Sequence, residues 1–469
     1  MSDGNLVVRS KDDLVQFVNR NPMKRKSVLL IWLALGGVFV EAYDFVSLGI
    51  GTEQLTEQFQ LSSFQVGTLT AIMAIGGFFG AIFGGYLTDK FGRAFIFLVD
   101  LLLLVLATVG AALAHNYAVL LIFRCLMGIG VGIETPVAFS FIAELSNIKQ
   151  KGKYLNLWQP VWYMATVSSG VIGLMVYLLH AEEYLWRWAV GLGAVFALAV
   201  FFLRIAYMKE SPLWAANNLP IKEAIKIVEK TYNITIVNKS LDTDQKSDNK
   251  PSSFKLLFHK RYRARSFLAW IISITQTMQY YSLGFYIPII SGYIFGQGMI
   301  NSIYGTIIFN LFGILGGFFG AYLTVRMGTR KLAIYGFAVV AASLIYIGLI
   351  YGHSNILLSA LPIATFIFAH SAGPGPQGKT IAAASYPTSL RALGTGASEA
   401  ANKVGSMFGL FFFPMVLAAV GLAKTMLILT LVPIAGLIAT SLIKWESVGK
   451  DVENDVIEEG KDTLNGMQV

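Results

Sequence analysis

The chain is poor in charge, almost free of cysteine, and lacks the short motifs that mark a nucleotide engine, a metal centre or an activated nucleophile. Only 13% of its 469 residues are Asp, Glu, Lys or Arg, while 55% are hydrophobic and the mean hydropathy is +0.61. A water-soluble globule of that composition would have too little polar surface to cover itself, so a bilayer is the expected solvent. The single cysteine, Cys125, excludes an internal disulfide and a thiolate metal cluster. No Walker lysine motif, metal-ligand spacing or nucleophile elbow occurs. The sequence therefore predicts no catalytic residue, no metal and no cofactor. The driving force is expected to be an ion gradient, a proton gradient first, or the substrate's own gradient. A net charge of +9 raises nucleic acid as a partner. The cations lie in particular connections between apolar runs, however, so no nucleic-acid partner is expected.

What the chain does have is long apolar runs. A helix needs roughly 20 apolar residues to cross the hydrocarbon. Reading at that length predicts spans at 27–51, 64–87, 94–114, 117–143, 154–180 and 185–207, then 266–291, 298–324, 332–352, 356–385, 393–422 and 423–444. The first run is too long for a signal-peptide core and reads as a retained span. The organisation is a terminal segment 1–26, a six-helix bundle 27–207, a polar central loop 208–265, a second bundle 266–444 and a tail 445–469. Within the central loop, Pro220 followed by Ile221, Ala224, Ile225 and Val228 predicts a short amphipathic surface helix, and Ser240 to Ser253 reads as a polar, flexible stretch.

Charge predicts orientation. Lys24, Arg25, Lys26, Lys90, Arg93, Lys149, Lys151, Lys153, Arg326, Arg330, Lys331 and Arg391 fall on one side. The opposite connections hold Glu53, Glu57, Glu182 and Glu183, with Arg187 and Lys424 as their clear cations. The positive-inside rule then puts both termini in the cytoplasm of a multi-pass cell-membrane protein, expected to be a monomer.

One connection occurs twice. Gly84-Gly85-Tyr86-Leu87-Thr88-Asp89-Lys90-Phe91-Gly92-Arg93 has a partial copy in Gly320-Ala321-Tyr322-Leu323-Thr324-Val325-Arg326-Met327-Gly328-Thr329-Arg330-Lys331. The same loop in each half of an apolar chain points to a duplicated membrane transporter.

Further motifs join these. Glu210-Ser211-Pro212 with Trp214 follows the sixth span, Trp186-Arg187-Trp188 opens it, Arg124 to Gly132 forms a Gly-rich fourth span, and Tyr386-Pro387-Thr388 precedes Arg391, Ala392 and Gly394. With the repeated loop, these residues make the chain resemble the major facilitator superfamily, nearest its sugar-porter and related metabolite:proton symporter branch. Lys209, Leu213 and Ala215 depart from that branch's signature, and the acid it has before Pro387-Thr388 is absent. The resemblance implies an all-α membrane fold of two pseudo-symmetric six-helix bundles, twelve transmembrane helices in all, around a site that opens alternately to each side. It also implies that Asp89 and Arg93 latch the halves in the outward-open state, with Glu144 as a further partner. The alternative is that these cations only fix topology. Val325 replaces the acid in the second copy, which predicts an asymmetric latch.

An ionisable group at mid-bilayer depth normally faces a partner or a wet cavity. Glu41 and Asp44 lie three apart on span 1, hence on one helical face. Arg124 on span 4 lies at similar depth to Asp44 and is a candidate partner, either in a pair that protonation breaks or in a permanent structural one. Glu134 lies deeper on span 4, lining a cavity or meeting a cation on the charged side. These four are the candidate proton-coupling residues. On span 7, Gln276, Gln279 and Tyr280 offer donors and acceptors without fixed charge, which suits a polyol, although helix packing would use them too. His370 precedes Ser371-Ala372-Gly373-Pro374-Gly375-Pro376, a segment that must break or kink span 10. Glu399 and Lys403 are spaced i,i+4 on span 11, and Lys379 competes for Glu399. If Lys379 satisfies Glu399, Lys403 is free for a carboxylate substrate. If Lys403 neutralises Glu399, a neutral substrate is favoured.

The leading expectation is proton symport of a small polar metabolite, whether sugar, polyol or organic acid. A facilitative uniporter, an exporter of drugs or metabolites with the same fold, and a nutrient-sensing receptor are the alternatives.

Overall fold

The structure, a computed structural model, describes residues 6–21, 25–179, 185–239, 253–296, 298–350, 356–453 and 455. Lys24, Glu182, Glu183 and nearly all of the polar stretch 240–253 lie outside the described residues, as do the side chains of Arg25, Lys26 and Glu53.

The fold is all-helical apart from one short strand pair. Spans 1 to 6 are Arg25–Ile50, Ser63–Phe91, Arg93–Ala112, Tyr117–Leu145, Trp158–Leu178 and Leu185–Tyr207. Span 7 comes in two pieces, Arg263–Leu283 and Ile287–Phe295, rather than the single run the hydropathy predicts. Spans 8 and 9 are Met299–Met327 and Thr329–Ile350. Span 10 breaks at Gly373 into Ile356–Ala372 and Pro374–Ser385, where the paired prolines and glycines predict a break. The stretch Thr388–Leu429 is two helices, span 11 and the start of span 12, and span 12 ends with Leu431–Leu442. Gly421 (φ 76°, ψ 168°) turns the chain between them. Among the described residues, nine helices are long and apolar enough by themselves to cross a membrane. Large apolar side chains such as Phe83, Leu106, Phe202 and Leu361 stay exposed on their outer surfaces. Acyl chains rather than water suit that surface.

The two halves repeat each other down to the backbone. Gly92 (φ 94°, ψ 168°) and Gly328 (φ 84°, ψ 162°) end spans 2 and 8 in the same left-handed conformation, which an L side chain strains to adopt. In each case a carboxylate then caps the next helix. Glu210 accepts the N–H groups of Arg93 and Ala94 at 3.0 and 3.1 Å; Glu446 accepts those of Thr329 and Arg330 at 3.0 and 3.1 Å. Negative charge is favoured at both helix N-termini.

Small residues set the helix spacing. A side chain at Gly76 or Gly80 would run into the main-chain carbonyls of Cys125 or Ile129, and one at Gly128 or Gly132 into those of Met73 or Gly77. The Gly-rich run of span 4 therefore serves contact with span 2. The seam between the halves uses the same device, with Gly85 against Ala392 and Gly396 against Ala81 where span 2 meets span 11.

Residues 6–20 do not form a bare segment. Strand Leu6–Val8 pairs in parallel with Ile236–Asn238, and helix Lys11–Arg20 lies beside Pro212–Asn218 and Ile221–Tyr232. Val8, Leu14 and Val18 share a small core with Leu213, Ile221, Ala224, Ile225 and Val228. The amphipathic helix predicted after Pro220 thus buries its apolar face against the start of the chain. We call the face carrying this unit and both repeated loops the basal face.

Candidate substrate site and basal gate

Charged side chains from both halves meet at the centre. Span 11 aims Glu399 and Lys403 inward, and span 10, after its break, brings Lys379. Lys379 Nζ lies 2.7 Å from Glu399 Oε2, and Lys403 Nζ lies 2.8 Å from Glu399 Oε1. Lys403 Nζ also reaches Glu41 Oε1 on span 1 at 3.1 Å, and Glu41 Oε2 accepts from Thr135 Oγ1 at 3.2 Å. Neither sequence alternative for Lys403 describes this arrangement. Glu399 takes both lysines, and Lys403 keeps a second acid from the opposite half. Two acids and two bases make the cluster neutral as it stands.

Glu41 and Asp44 go different ways. Asp44 accepts from Thr108 Oγ1 at 3.3 Å, and its Oδ1 has no protein hydrogen-bond partner. Arg124 does not pair with that carboxylate. Its Nη1 donates to the main-chain carbonyl of Asp44 at 2.8 Å. Glu134 takes the second of its two expected places, against a cation: Arg204 grips it with Nη1–Oε2 at 2.8 Å and Nη2–Oε1 at 2.6 Å, with Asp100 at 3.9 Å from the same guanidinium. This buried fork holds spans 3, 4 and 6 together, and Arg204 also donates to the carbonyls of Leu33, Ala34 and Phe97. Glu134 faces the interior of one bundle, not the central cavity.

A cavity of about 20 Å³ lies beside the cluster, room for about one water. Gln276, Tyr280 and His370, three of the candidate substrate residues, line it, whereas Gln279 stands behind. Gln279 Nε2 and His370 Nδ1 are 3.1 Å apart, and the imidazole stacks on Tyr280 with ring centres 5.0 Å apart. The sequence reading missed Trp158, Gln159, Trp162 and Asn402, which line the same cavity. An amide and two indoles within Trp158-Gln159-Pro160-Val161-Trp162 of an apolar span were the available signal. Trp162 Nε1 donates to the Tyr280 hydroxyl at 3.1 Å.

Above this, away from the basal face, a much larger cavity of about 800 Å³ runs between spans 1, 2, 5, 7, 8 and 11. Tyr280 and Tyr281 line both cavities and so form the partition between them.

The basal side is closed. Arg93 Nη2 meets Glu144 Oε1 at 2.7 Å and Asp89 Oδ1 at 3.1 Å. Asp89 Oδ2 accepts the Leu393 N–H at 3.0 Å, and Arg391 Nη1 reaches Glu144 Oε1 at 3.3 Å, both contacts crossing between halves. Trp214 Nε1 donates to the Asp89 carbonyl at 3.0 Å. At the second copy of the loop, among the described residues, no acid of the loop itself reaches across to the other half. Asn156, just ahead of span 5, donates to Thr324 Oγ1 and accepts from Thr380 Oγ1, each at 2.5 Å, while Val325 is 39% exposed.

A twelve-span duplicated bundle, shut at one face and hollow toward the other around a central polar site, defines an alternating-access membrane transporter. The family model for sugar (and other) transporters matches residues 30–455, and the chain belongs to that family. It is a secondary transporter of small metabolites. The chain is 27% identical over 422 residues to the putative metabolite transport protein YaaU of Escherichia coli (strain K12), covering 90% of this chain and 92% of the relative. It is 26% identical over 442 residues to the arabinose-proton symporter of Bacillus subtilis (strain 168), covering 91% and 94%. In fold it is similar to the proton:xylose symporter XylE solved with 6-bromo-6-deoxy-D-glucose, with a TM-score of 0.75 at 19% identity over 91% of this chain and 98% of that one.

Proposed function

We propose that the protein is a proton symporter for a small polar metabolite, monomeric in the cell membrane, with the basal face in the cytoplasm, and that Asp44 carries the proton. The observation behind this is the state of Asp44, fully buried with one carboxylate oxygen unpartnered while Arg124 is occupied by the main chain. An ionised carboxylate that makes no ion-pair contact is costly at that depth, so the arrangement suits a protonated carboxyl. Loss of the proton would draw the Arg124 guanidinium from the Asp44 carbonyl to the carboxylate, tightening span 1 on span 4. Two side-chain states separated by one proton give the bistable element that coupling needs. The cationic residues of the basal connections support the cytoplasmic assignment. The proton coupling named for the B. subtilis relative agrees with the reading.

Reconstituted vesicles test it. Asp44→Asn should retain exchange of labelled substrate across the membrane but lose accumulation driven by a pH gradient. Accumulation by the Asn variant equal to that of the native chain would overturn the assignment.

A further inference from the structure

We propose that the substrate is a small hydroxylated monocarboxylate, of the sugar-acid type, whose carboxylate replaces Glu41 on Lys403 while Glu41 takes up a proton. This rests on the transport reading but not on Asp44 as the proton carrier.

The argument starts from the charge count. Glu41, Glu399, Lys379 and Lys403 sum to zero, and among the described residues the ion pair between halves at their level is the Glu41–Lys403 contact at 3.1 Å. Alternating access moves the two halves against each other, and Glu41 and Lys403 sit on opposite sides of that seam. Parting the pair leaves Glu41 unpaired and one net positive charge on Lys379, Glu399 and Lys403, which is strongly unfavourable when buried. A neutral solute offers Lys403 nothing in exchange. A monoanion that arrives with one proton does: the proton neutralises Glu41, the anion pairs with Lys403, and the cluster is again neutral. No covalent bond forms, and the proton ends on a Glu41 carboxylate oxygen.

Glu41 is the acid suited to yield. Glu399 is held by two lysines at 2.7 and 2.8 Å, whereas Glu41 shares one of those lysines and otherwise accepts from Thr135. The ionisable groups around Glu41 are Lys403 and Glu399 from span 11, Lys379 from span 10, Tyr281 from span 7 and Asp44 along its own helix. His370 lines the same cavity and donates to or accepts from Gln279 according to its tautomer.

The uncharged lining points to the rest of the ligand. Gln276 Nε2 and Trp158 Nε1 are buried donors without a protein partner, and Gln159 Oε1 is a buried acceptor without one. Gln276 and Gln159 are each 2% exposed, and all three side chains line the cavity. Buried polar groups of this kind normally find partners. Donors and an acceptor together suit hydroxyl groups, which supply both roles. The cavity beside Lys403 is contracted, so the ligand must enter by displacing the Tyr280–Tyr281 partition from the outer cavity.

Calorimetry on the full-length protein in lipid nanodiscs tests this. The probes are gluconate, galactonate and glycerate against glucose, galactose and glycerol, titrated in two buffers of different ionisation enthalpy. At least one acid should bind tenfold or more tightly than its neutral counterpart, with affinity falling as pH rises and uptake of about one proton per acid bound. Glu41→Gln should abolish that proton uptake and remove the pH dependence. Lys403→Gln should weaken the acid by about 10- to 100-fold. Glu41→Gln leaves the Lys403–Glu399 pair in place, so it decides the matter even if the Lys403 variant does not fold. Sugars binding as well as the acids, pH-dependent acid binding that persists in Glu41→Gln, or no acid binding in either protein each overturns the inference. Sugars accumulated by a pH gradient with no acid bound would sink this proposal and leave proton symport standing. Acid binding with proton uptake but no proton-driven accumulation would do the reverse.

Discussion

The carboxylate of Asp89 accepts the main-chain N–H of Leu393 at 3.0 Å, so an acid at the foot of span 2 caps the start of span 11 in the opposite half. The same carboxylate holds Arg93, which passes the contact on to Glu144, and Glu144 in turn reaches Arg391. Opening the basal side must break the links of this chain that cross between the halves, Asp89–Leu393 and Glu144–Arg391.

Asp89→Asn removes the ion pair with Arg93 and weakens the bond to Leu393. We expect the initial uptake rate to fall by about tenfold, equivalent to roughly 1.4 kcal/mol, with ligand binding retained. At the second loop, the half-exposed Val325 should tolerate Ala with a change within about 0.5 kcal/mol. Thr324 is a different case, because it bonds Asn156 across the halves. Thr324→Val should cost about 1 kcal/mol of closure. Uptake rates normalised to protein in the membrane check all three. Equal loss at Asp89 and Val325 would remove the asymmetry.

Glu134 separates structural charge from working charge. Its two oxygens are taken by one buried guanidinium, and a side chain at Gly37 would collide with both partners. Glu134→Gln leaves Arg204 facing Asp100 and three carbonyls. Breaking one side of a buried pair costs about 3–5 kcal/mol, here toward the lower end because those carbonyls remain. Thermal unfolding in detergent should show the loss, while the KM of the surviving folded protein stays near the native value. A changed KM with unchanged stability would return Glu134 to the transport machinery.

Much of the fold was legible in the sequence because the bilayer allows few solutions. Runs of about 20 apolar residues and the break before Pro374 follow from backbone groups that must be satisfied in hydrocarbon, and the repeated loop showed the duplication directly. Side-chain partners were less legible. Depth along two helices placed Arg124 level with Asp44, but depth does not say whether a guanidinium meets the carboxylate or the carbonyl. Spacing paired Glu399 with Lys403, yet nothing local predicts that Lys403 also takes Glu41, 362 residues away. Glu446 and Glu453 were passed over because a polar tail has no periodicity. The start of the chain was passed over for a related reason, since a three-residue strand is too short to show alternation.

The tail supplies the last prediction. Glu453 accepts from the N–H and hydroxyl of Thr388 at 2.9 and 2.8 Å and is ion-paired to Arg391, so the tail docks on the start of span 11 beside the gate. Burial pushes the Glu453 carboxyl up, but Arg391 and Lys151 outweigh it and hold the group below its ordinary value of 4.5. A carboxylate held low in the folded state stabilises it above the ordinary value, and that contribution is lost as pH falls through the lowered one. The tail should therefore stay docked at neutral pH and come away only in acid below about 4.5. Glu453→Gln should loosen it at neutral pH, because the Arg391 pair is lost while the bonds from Thr388 are only weakened. Hydrogen exchange at the Thr388 amide reads both. Protection that is unchanged between pH 7 and the acid limit, and equally unchanged in the Gln variant, would show that Glu453 does not hold the tail.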